Sequence, residues 1–261
     1  MRRWLPELLA LPLLPWLYAQ GKRTRRITPR LPEADGAREG LCTPAEVGDA
    51  VPVVLIAVGE SPVAGVGVER QEEAITAQFA QELAVALRRP VQWRAFGKNG
   101  ATVADAHRDV LPQLAQSSLP KMPRMQELRI VLIAFGVNDS TAFHGSGRYR
   151  RDLAALAHAL QRQLSPSLLL ISGAPPLHLF PALPQPLRHV LGMKAAVLSR
   201  AAQQLAAELP RAIYVPVRSD ARERNLMAHD GYHPSAAGAR IWAQQLAQAT
   251  VEGLRTLGAL K

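Results

Sequence analysis

A chain of 261 residues with 48% hydrophobic content is long enough to bury one α/β core and to carry an appendage. Its single cysteine, Cys42, excludes an intramolecular disulfide and a thiolate metal cluster. The net charge of +10 comes mostly from scattered arginines such as Arg88, Arg89, Arg150 and Arg151. With neither zinc-finger spacing nor an aromatic-rich basic strand, that charge describes a solvated basic face or an affinity for anionic lipid, and no nucleic-acid partner is expected.

Residues 1–45 differ from the rest and read as an arm and linker ahead of a folded domain at 46–261. An apolar run from Trp4 to Ala19 holds Glu7 and three prolines, Pro6, Pro12 and Pro15, between Arg2-Arg3 and the basic cluster Lys22 to Arg26. It is shorter than the ~20 residues a spanning helix needs. Leu17-Tyr18-Ala19 is a poor cleavage site for a secretory signal. The expectation is a retained segment, within residues 1–30, lying in a membrane interface. The alternative is a signal cleaved on export to the periplasm or beyond. Pro29 to Glu39 reads as an extended linker.

Val51 to Val58 is an uncharged, β-branched-rich run that breaks at Gly59-Glu60-Ser61, a buried strand ending in a small loop. Arg70 to Arg88 has helical spacing and stops before Pro90. Val91 to Phe96 is a short strand, followed by the turn Gly97-Lys98-Asn99-Gly100 and a helix from about Thr102 to Gln116. Leu119 to Met125 is a loop. Leu128 to Phe135 is a second buried strand, ending in Gly136-Val137-Asn138-Asp139, with a helix from about Gly147 to Leu164. Ser167 to Ile171 is a strand, and Leu177 to Gly192 an apolar, proline-rich segment. A helix from about Gly192 to Leu209, a strand at Ala212 to Val215, a loop to Asp230-Gly231-Tyr232-His233-Pro234 and a helix from Ser235 to about Leu257 complete the chain. Five strands alternate with five helices, which predicts an α/β fold with a parallel sheet covered on both faces.

Every polar cluster falls after a strand, so all lie on the carboxyl edge of one sheet, where open α/β sheets bind ligands. Ser61 follows the first strand, Gly100 the second, Asn138 the third, and Asp230 with His233 the last. A hydroxyl, an imidazole, a carboxylate and hydrogen-bond donors are the parts acyl transfer needs. His229 and His233 stand four apart like zinc ligands on a helix, but Gly231 and Pro234 oppose a helix there. Gly65-Val66-Gly67 is only part of a dinucleotide fingerprint. No metal and no cofactor are expected. His107, His158 and His189 sit in helical patterns and read as structural, and His144 as a surface residue.

These four blocks resemble those of the SGNH (GDSL-like) hydrolases. Gly59-Glu60-Ser61 is similar to the block that carries their nucleophile. Gly97 to Thr102 is similar to the second, with Gly100 at the oxyanion glycine. Gly136 to Asp139 is similar to the third, with Asn138 at the oxyanion asparagine. Asp230 to Pro234 is similar to the last, which completes the triad. The resemblance spans about residues 50–250. It implies a three-layer α/β/α, flavodoxin-like fold and metal-free serine esterase chemistry on a small-molecule ester. Ser61, His233 and Asp230 would form the triad, and Ser61, Gly100 and Asn138 the oxyanion hole. Glu60 departs from the family, which usually has Asp there in a loop-supporting role. The apolar segment Leu177 to Pro184 near the same edge would favour lipophilic acyl or aryl esters. The alternatives are a thioesterase or lysophospholipase of the same fold, or a domain that binds ligands without turnover.

Overall fold

A computed structural model describes residues 5–46, 51–116, 127–218 and 222–260. The expected loop at 119–125 and the residues Arg2, Arg3 and Trp4 lie outside them. The strands are β1 (Glu39–Cys42), β2 (Val53–Gly59), β3 (Val91–Gly97), β4 (Arg129–Ala134), β5 (Leu168–Ser172) and β6 (Ala212–Val215). The helices are α1 (Leu5–Ala10), α2 (Leu14–Ile27), α3 (Ile75–Leu87), α4 (Val103–Asp109), α5 (Leu111–Gln116), α6 (Val137–Thr141), α7 (Ser146–Leu164), α8 (Leu187–Glu208) and α9 (Ala236–Thr256).

All seven residues of β2 are buried. Such a run is what a central parallel strand needs, because both of its faces meet helices. Val53, Leu55 and Ala57 point into one apolar layer with Phe79 and Leu83 of α3 and Trp242 and Leu246 of α9. Val54, Ile56 and Val58 point into the other, with Val103 of α4, Leu153 and Leu160 of α7 and Leu198 of α8. The α/β/α layering expected from the alternation is thus present.

The sheet has six strands in the order β1-β3-β2-β4-β5-β6. Five are parallel, and the sixth, β1, pairs antiparallel with β3 in the register Glu39↔Arg94 to Cys42↔Val91. That sixth strand is the correction to the five-strand expectation. Glu-Gly-Leu-Cys is short, half-exposed and without alternation, so an edge strand of this kind leaves little sequence signal. Other boundaries also move. The helix expected from Gly192 begins at Leu187, inside the proline-rich segment, and the short α6 starts directly after β4.

The order reverses at β2, whose two neighbours are β3 and β4. Such a switch point leaves a crevice at the carboxyl ends of the strands. The loop after β2 carries Ser61, the loop after β3 carries Gly100 and the start of α6 after β4 carries Asn138. Topology alone therefore brings three of the four sequence blocks to one crevice.

The arm lies on the folded domain. Pro12 sits in a single 3₁₀ turn, Leu11–Leu13, and Pro15 in the first turn of α2, where a missing N–H costs nothing. Ala10, Leu13, Leu17, Gln20 and Thr24 recur three and four residues apart, one helical seam. Ala10, Leu13 and Leu17 share an apolar cluster with Leu187, Val190 and Leu191 of α8. Gln20 accepts from the Leu187 N–H at 3.2 Å and donates to the Gln185 carbonyl at 2.6 Å. Lys194 of α8 is fully buried, pairs with Glu7 of α1 and lies 5.8 Å from the centre of the Phe143 ring. A buried ammonium without its carboxylate pays for desolvation uncompensated.

Glu7→Ala should therefore destabilise the protein by roughly 1–3 kcal/mol, less than a fully buried pair would lose, because Glu7 retains some exposure. Adding Lys194→Met should recover most of that loss. Urea unfolding midpoints of both variants check this, and a Glu7→Ala protein as stable as the parent would show that Glu7 does not stabilise Lys194.

Candidate functional site

β2 ends at Gly59, and the chain turns at once: Val63 and Ala64 donate to the Glu60 carbonyl at 3.0 and 3.2 Å, and Val66 to the Ser61 carbonyl at 2.9 Å. This tight turn holds Ser61, 7% exposed, at the strand's end. His233 arrives from the far side of the sheet on the loop that links β6 to α9. That loop is folded on itself, with the Ala228 N–H on the His233 carbonyl at 2.8 Å and the Gly231 N–H on the Ala228 carbonyl at 2.9 Å. Gly67 sets how closely the two loops approach. It has φ +104°, and a Cβ there would stand 2.4 Å from the Pro234 carbonyl oxygen and 2.9 Å from the His233 Cβ. Only glycine fits both the backbone conformation and the gap.

His233 Nε2 lies 3.1 Å from Ser61 Oγ, and His233 Nδ1 lies 2.6 Å from Asp230 Oδ2. The other oxygen of Asp230 accepts from the backbone N–H groups of Tyr232 and His233 at 2.9 and 3.0 Å. Burial works to raise the Asp230 carboxyl, but His233 and these N–H groups outweigh it and hold the group below the usual carboxylate range. It therefore stays ionised against the imidazole. Tyr232 packs edge-on to both the His233 ring and Phe180, with centroids at 5.3 and 5.4 Å.

On the other side, the Asn138 amide donates one hydrogen to the Ala101 carbonyl at 3.0 Å. An amide nitrogen carries a second hydrogen, which this bond leaves available. Gly100 has φ +78° and open space where a side chain would stand, as a backbone donor approached closely by a ligand requires. The residues expected from the sequence thus stand around one crevice: Ser61, His233 and Asp230 in a hydrogen-bonded line, with Asn138 at the start of α6 and Gly100 on the loop after β3. A cleft beside Ser61 and His233 is walled by Val137, Pro176, Phe180, Met227, Tyr232 and Trp242. The other histidines stand differently. His158, His189 and His229 are exposed and His107 is partly buried.

Two features add to the sequence reading, which gave Glu60 only the loop-supporting role that the resemblance implies. Glu60 is 4% exposed, and its carboxylate accepts from the N–H groups of Val137 and Asn138, both at 2.9 Å. These are the first donors of α6, which has no side-chain cap of its own. Glu60 thus ties the turn at Ser61 to the backbone that carries Asn138. Burial pushes its carboxyl up to about 7 against these hydrogen bonds. The second feature is Asp139, fully buried, which accepts from the Val103 N–H at 3.1 Å and lies 2.8 Å from His144 Nδ1. It joins α6 to the start of α4, and His144 belongs to this lock rather than to the surface. The Asn138-Asp139 pair reads in sequence as a turn, with nothing local to show a partner on another helix.

A serine–imidazole–carboxylate line at the switch point of a parallel sheet is the architecture of the SGNH hydrolases, in agreement with the four sequence blocks. The chain belongs to the GDSL-like Lipase/Acylhydrolase family, which it matches over residues 57–241, and it is a hydrolase of ester bonds. Solved structures agree on the fold. The lipase Lip_vut3 from a goat rumen metagenome superposes with a TM-score of 0.60 at 16% identity, covering 76% of this chain and 97% of its own. The psychrotrophic esterase EstA from Pseudoalteromonas sp. gives 0.57 at 17% identity, covering 77% and 98%. A family 3 carbohydrate esterase from Clostridium thermocellum gives 0.57 at 16% identity, covering 79% and 99%. No curated protein matches the sequence.

The raised Glu60 carboxyl has a consequence for stability. An unfolded glutamate loses its proton near 4.5, whereas folded Glu60 keeps its own to about 7. The folded state therefore binds more protons across that window, and the stability due to this group is lost as pH rises from about 4.5 through 7. A shift of this size is worth ~3 kcal/mol. Urea unfolding of the parent and of Glu60→Gln at the two ends of the window should show the parent losing about that much more. Parallel pH profiles would show that Glu60 does not titrate with folding.

Proposed function

We propose that the protein is a serine carboxylesterase with Ser61 as nucleophile, His233 as general base and acid, and Asp230 as the residue that orients the imidazole. The observation that carries the reading is the 3.1 Å contact of Ser61 Oγ with His233 Nε2, backed by the 2.6 Å contact of His233 Nδ1 with Asp230. His233 Nε2 accepts the Ser61 proton as Oγ bonds to the ester carbonyl carbon. The carbonyl oxygen takes the negative charge and meets the N–H groups of Ser61 and Gly100 and the free hydrogen of the Asn138 amide. On collapse the bond to the leaving oxygen breaks, and His233 passes its proton to that oxygen, releasing the alcohol. Water then attacks the acyl-enzyme with His233 again as base, and the acid leaves.

The cleft wall supports lipophilic acyl or aryl esters as substrates. Val137, Phe180, Met227 and Trp242 reward buried hydrocarbon. They offer no partners for the hydroxyls of a sugar ester, which would be desolvated at a cost.

A membrane surface is the second partner proposed. Among the described residues no helix is long and apolar enough to cross a membrane. The arm instead turns Leu8, Leu11, Leu14, Trp16, Tyr18 and Ile27 outward, each more than half exposed, with Lys22, Arg23 and Arg26 also exposed. Apolar side chains with basic neighbours suit an anionic lipid surface. The inward seam on α8 and the Lys194–Glu7 pair support retention of the arm in the working protein.

Ser61→Ala should keep the fold and lower hydrolysis by on the order of 10⁴- to 10⁶-fold. Asn138→Ala should lower kcat by roughly 10²- to 10³-fold with little change in KM. Steady-state kinetics on a panel of aryl esters of increasing acyl length checks both variants and the acyl preference; a rise in KM alone for Asn138→Ala would move that residue out of the oxyanion hole. For the arm, the full chain should co-sediment with vesicles rich in phosphatidylglycerol, and replacing Leu11, Leu14 and Trp16 with serine should release it while turnover of a soluble ester stays the same. Equal sedimentation of that variant would remove the arm from membrane binding.

A further inference from the structure

Residues 28–38 link the arm to β1 and lie outside the region that matches the family. They run across two of the loops that meet at the crevice. Their middle is tied to the chain leaving Ser61. The Asp35 N–H donates to the Glu69 carbonyl at 2.9 Å, and the Asp35 carbonyl accepts from the Gln71 N–H at 2.8 Å. The side chain of Gln71, fully buried, donates to the carbonyls of Ala34 at 3.1 Å and Ala64 at 3.0 Å. On either side of that point Glu33 and Arg38 reach the loop of Gly100. Glu33 Oε1 accepts from the Asn99 N–H at 2.9 Å, Arg38 Nη1 donates to the Gly97 carbonyl at 2.8 Å, and Arg38 also pairs with Glu33. Beyond it, the Ala95 N–H donates to the Arg38 carbonyl at 2.8 Å, where the segment passes into β1.

The Gly100 loop is closed by the Ala101 N–H on the Lys98 carbonyl and tied to β2 by the Lys98 N–H on the Gly59 carbonyl, both at 3.2 Å, and the segment braces it further. It has a glycine at each end, and Asn99 and Gly100 are exposed. A glycine-rich turn has many conformations to lose. A donor stabilises a developing oxyanion only if its direction is fixed before the charge appears. The Asn99 N–H belongs to the peptide one residue ahead of the Gly100 N–H, so an acceptor that fixes it limits the directions the next N–H can take. A bare carboxylate near the crevice would oppose the developing negative charge, and Arg38 beside it removes most of that penalty.

We propose that Glu33 is a positioning residue of the esterase: held by Arg38, its carboxylate fixes the Asn99 peptide and through it the aim of the Gly100 N–H at the substrate oxygen. The inference rests on the reading of Ser61 as nucleophile and Gly100 as oxyanion donor.

The test uses the full chain and a soluble short-chain aryl ester. Glu33→Ala should lower kcat by roughly 10- to 100-fold, since small misplacement of a catalytic donor has effects of this size. KM should stay within about twofold. Affinity for an alkylboronic acid, which forms a tetrahedral adduct on a serine Oγ, should fall by the same factor as kcat. Glu33→Gln keeps an oxygen for the Asn99 N–H and should recover most of the activity. An unchanged kcat in Glu33→Ala, a rise in KM alone, or a fall in kcat without the fall in boronate affinity would overturn the proposal. Should Glu33→Ala not fold, Arg38→Ala frees the carboxylate and removes the Gly97 bond, and unchanged kcat and boronate affinity there would overturn it equally. Ser61→Ala separates the two readings. If that variant turns over ester, the nucleophile assignment falls; if it is inactive while Glu33→Ala matches the parent, only the role of Glu33 falls.

Discussion

Glu60 spans the gap between the end of β2 and the start of α6, and the crevice depends on that span. Its backbone N–H donates to the Ala134 carbonyl at the end of β4, at 3.1 Å, while its carboxylate holds the first two N–H groups of α6. One residue thus joins neighbouring strands above the point where their hydrogen bonding stops. The Glu60 side chain is enclosed rather than pointing to solvent. The enclosure also sets its titration, since desolvation outweighs the helix donors. Asp139 makes a parallel connection from α6 to α4, so the Asn138 backbone is held from two directions.

What the sequence made legible has a common physical origin. The strands β2, β3 and β4 each end in a glycine-bearing turn, so Ser61, Gly100 and Asn138 could be placed on one edge without coordinates. His233 and Asp230 were legible for a different reason: Asp230 to Pro234 resembles the last block of the family, while Gly231 and Pro234 spoke only against a helix there. What stayed hidden was non-local or unpatterned. β1 is four half-exposed residues, recognisable only through its pairing with β3. Glu33 meets Asn99 across 66 residues of chain, with no periodicity to announce it. His144 looks like a surface residue until Asp139, fully buried, is seen beside it.

The arm carries local signals and a non-local one that they do not show. Its leucines and tryptophan suggest a lipid environment, and its prolines argue against a continuous helix. Both readings are physically sound, and both leave out the seam of Ala10, Leu13, Leu17, Gln20 and Thr24, which sits against α8. Pro12 and Pro15 fall where helices tolerate them, one in a 3₁₀ turn and one in a first turn. The cluster that receives the arm also contains Val137, Phe180, Met227 and Tyr232, which face the cleft beside Ser61. The arm and the cleft wall thus share one apolar cluster.

The pairing of Glu7 with Lys194 joins positions 187 residues apart. A ribosome adds ~5–20 residues per second, so roughly 10–40 s separate the synthesis of the arm from that of the helix that receives it. Throughout that interval the apolar side chains of the arm's inward seam lack the helix they pack against. They are offered instead to whatever hydrophobic surface lies near the exit tunnel, a chaperone, a targeting factor or a bilayer. The arm's fate is therefore a matter of timing as well as affinity: its intramolecular seat exists only after three quarters of the polypeptide has emerged.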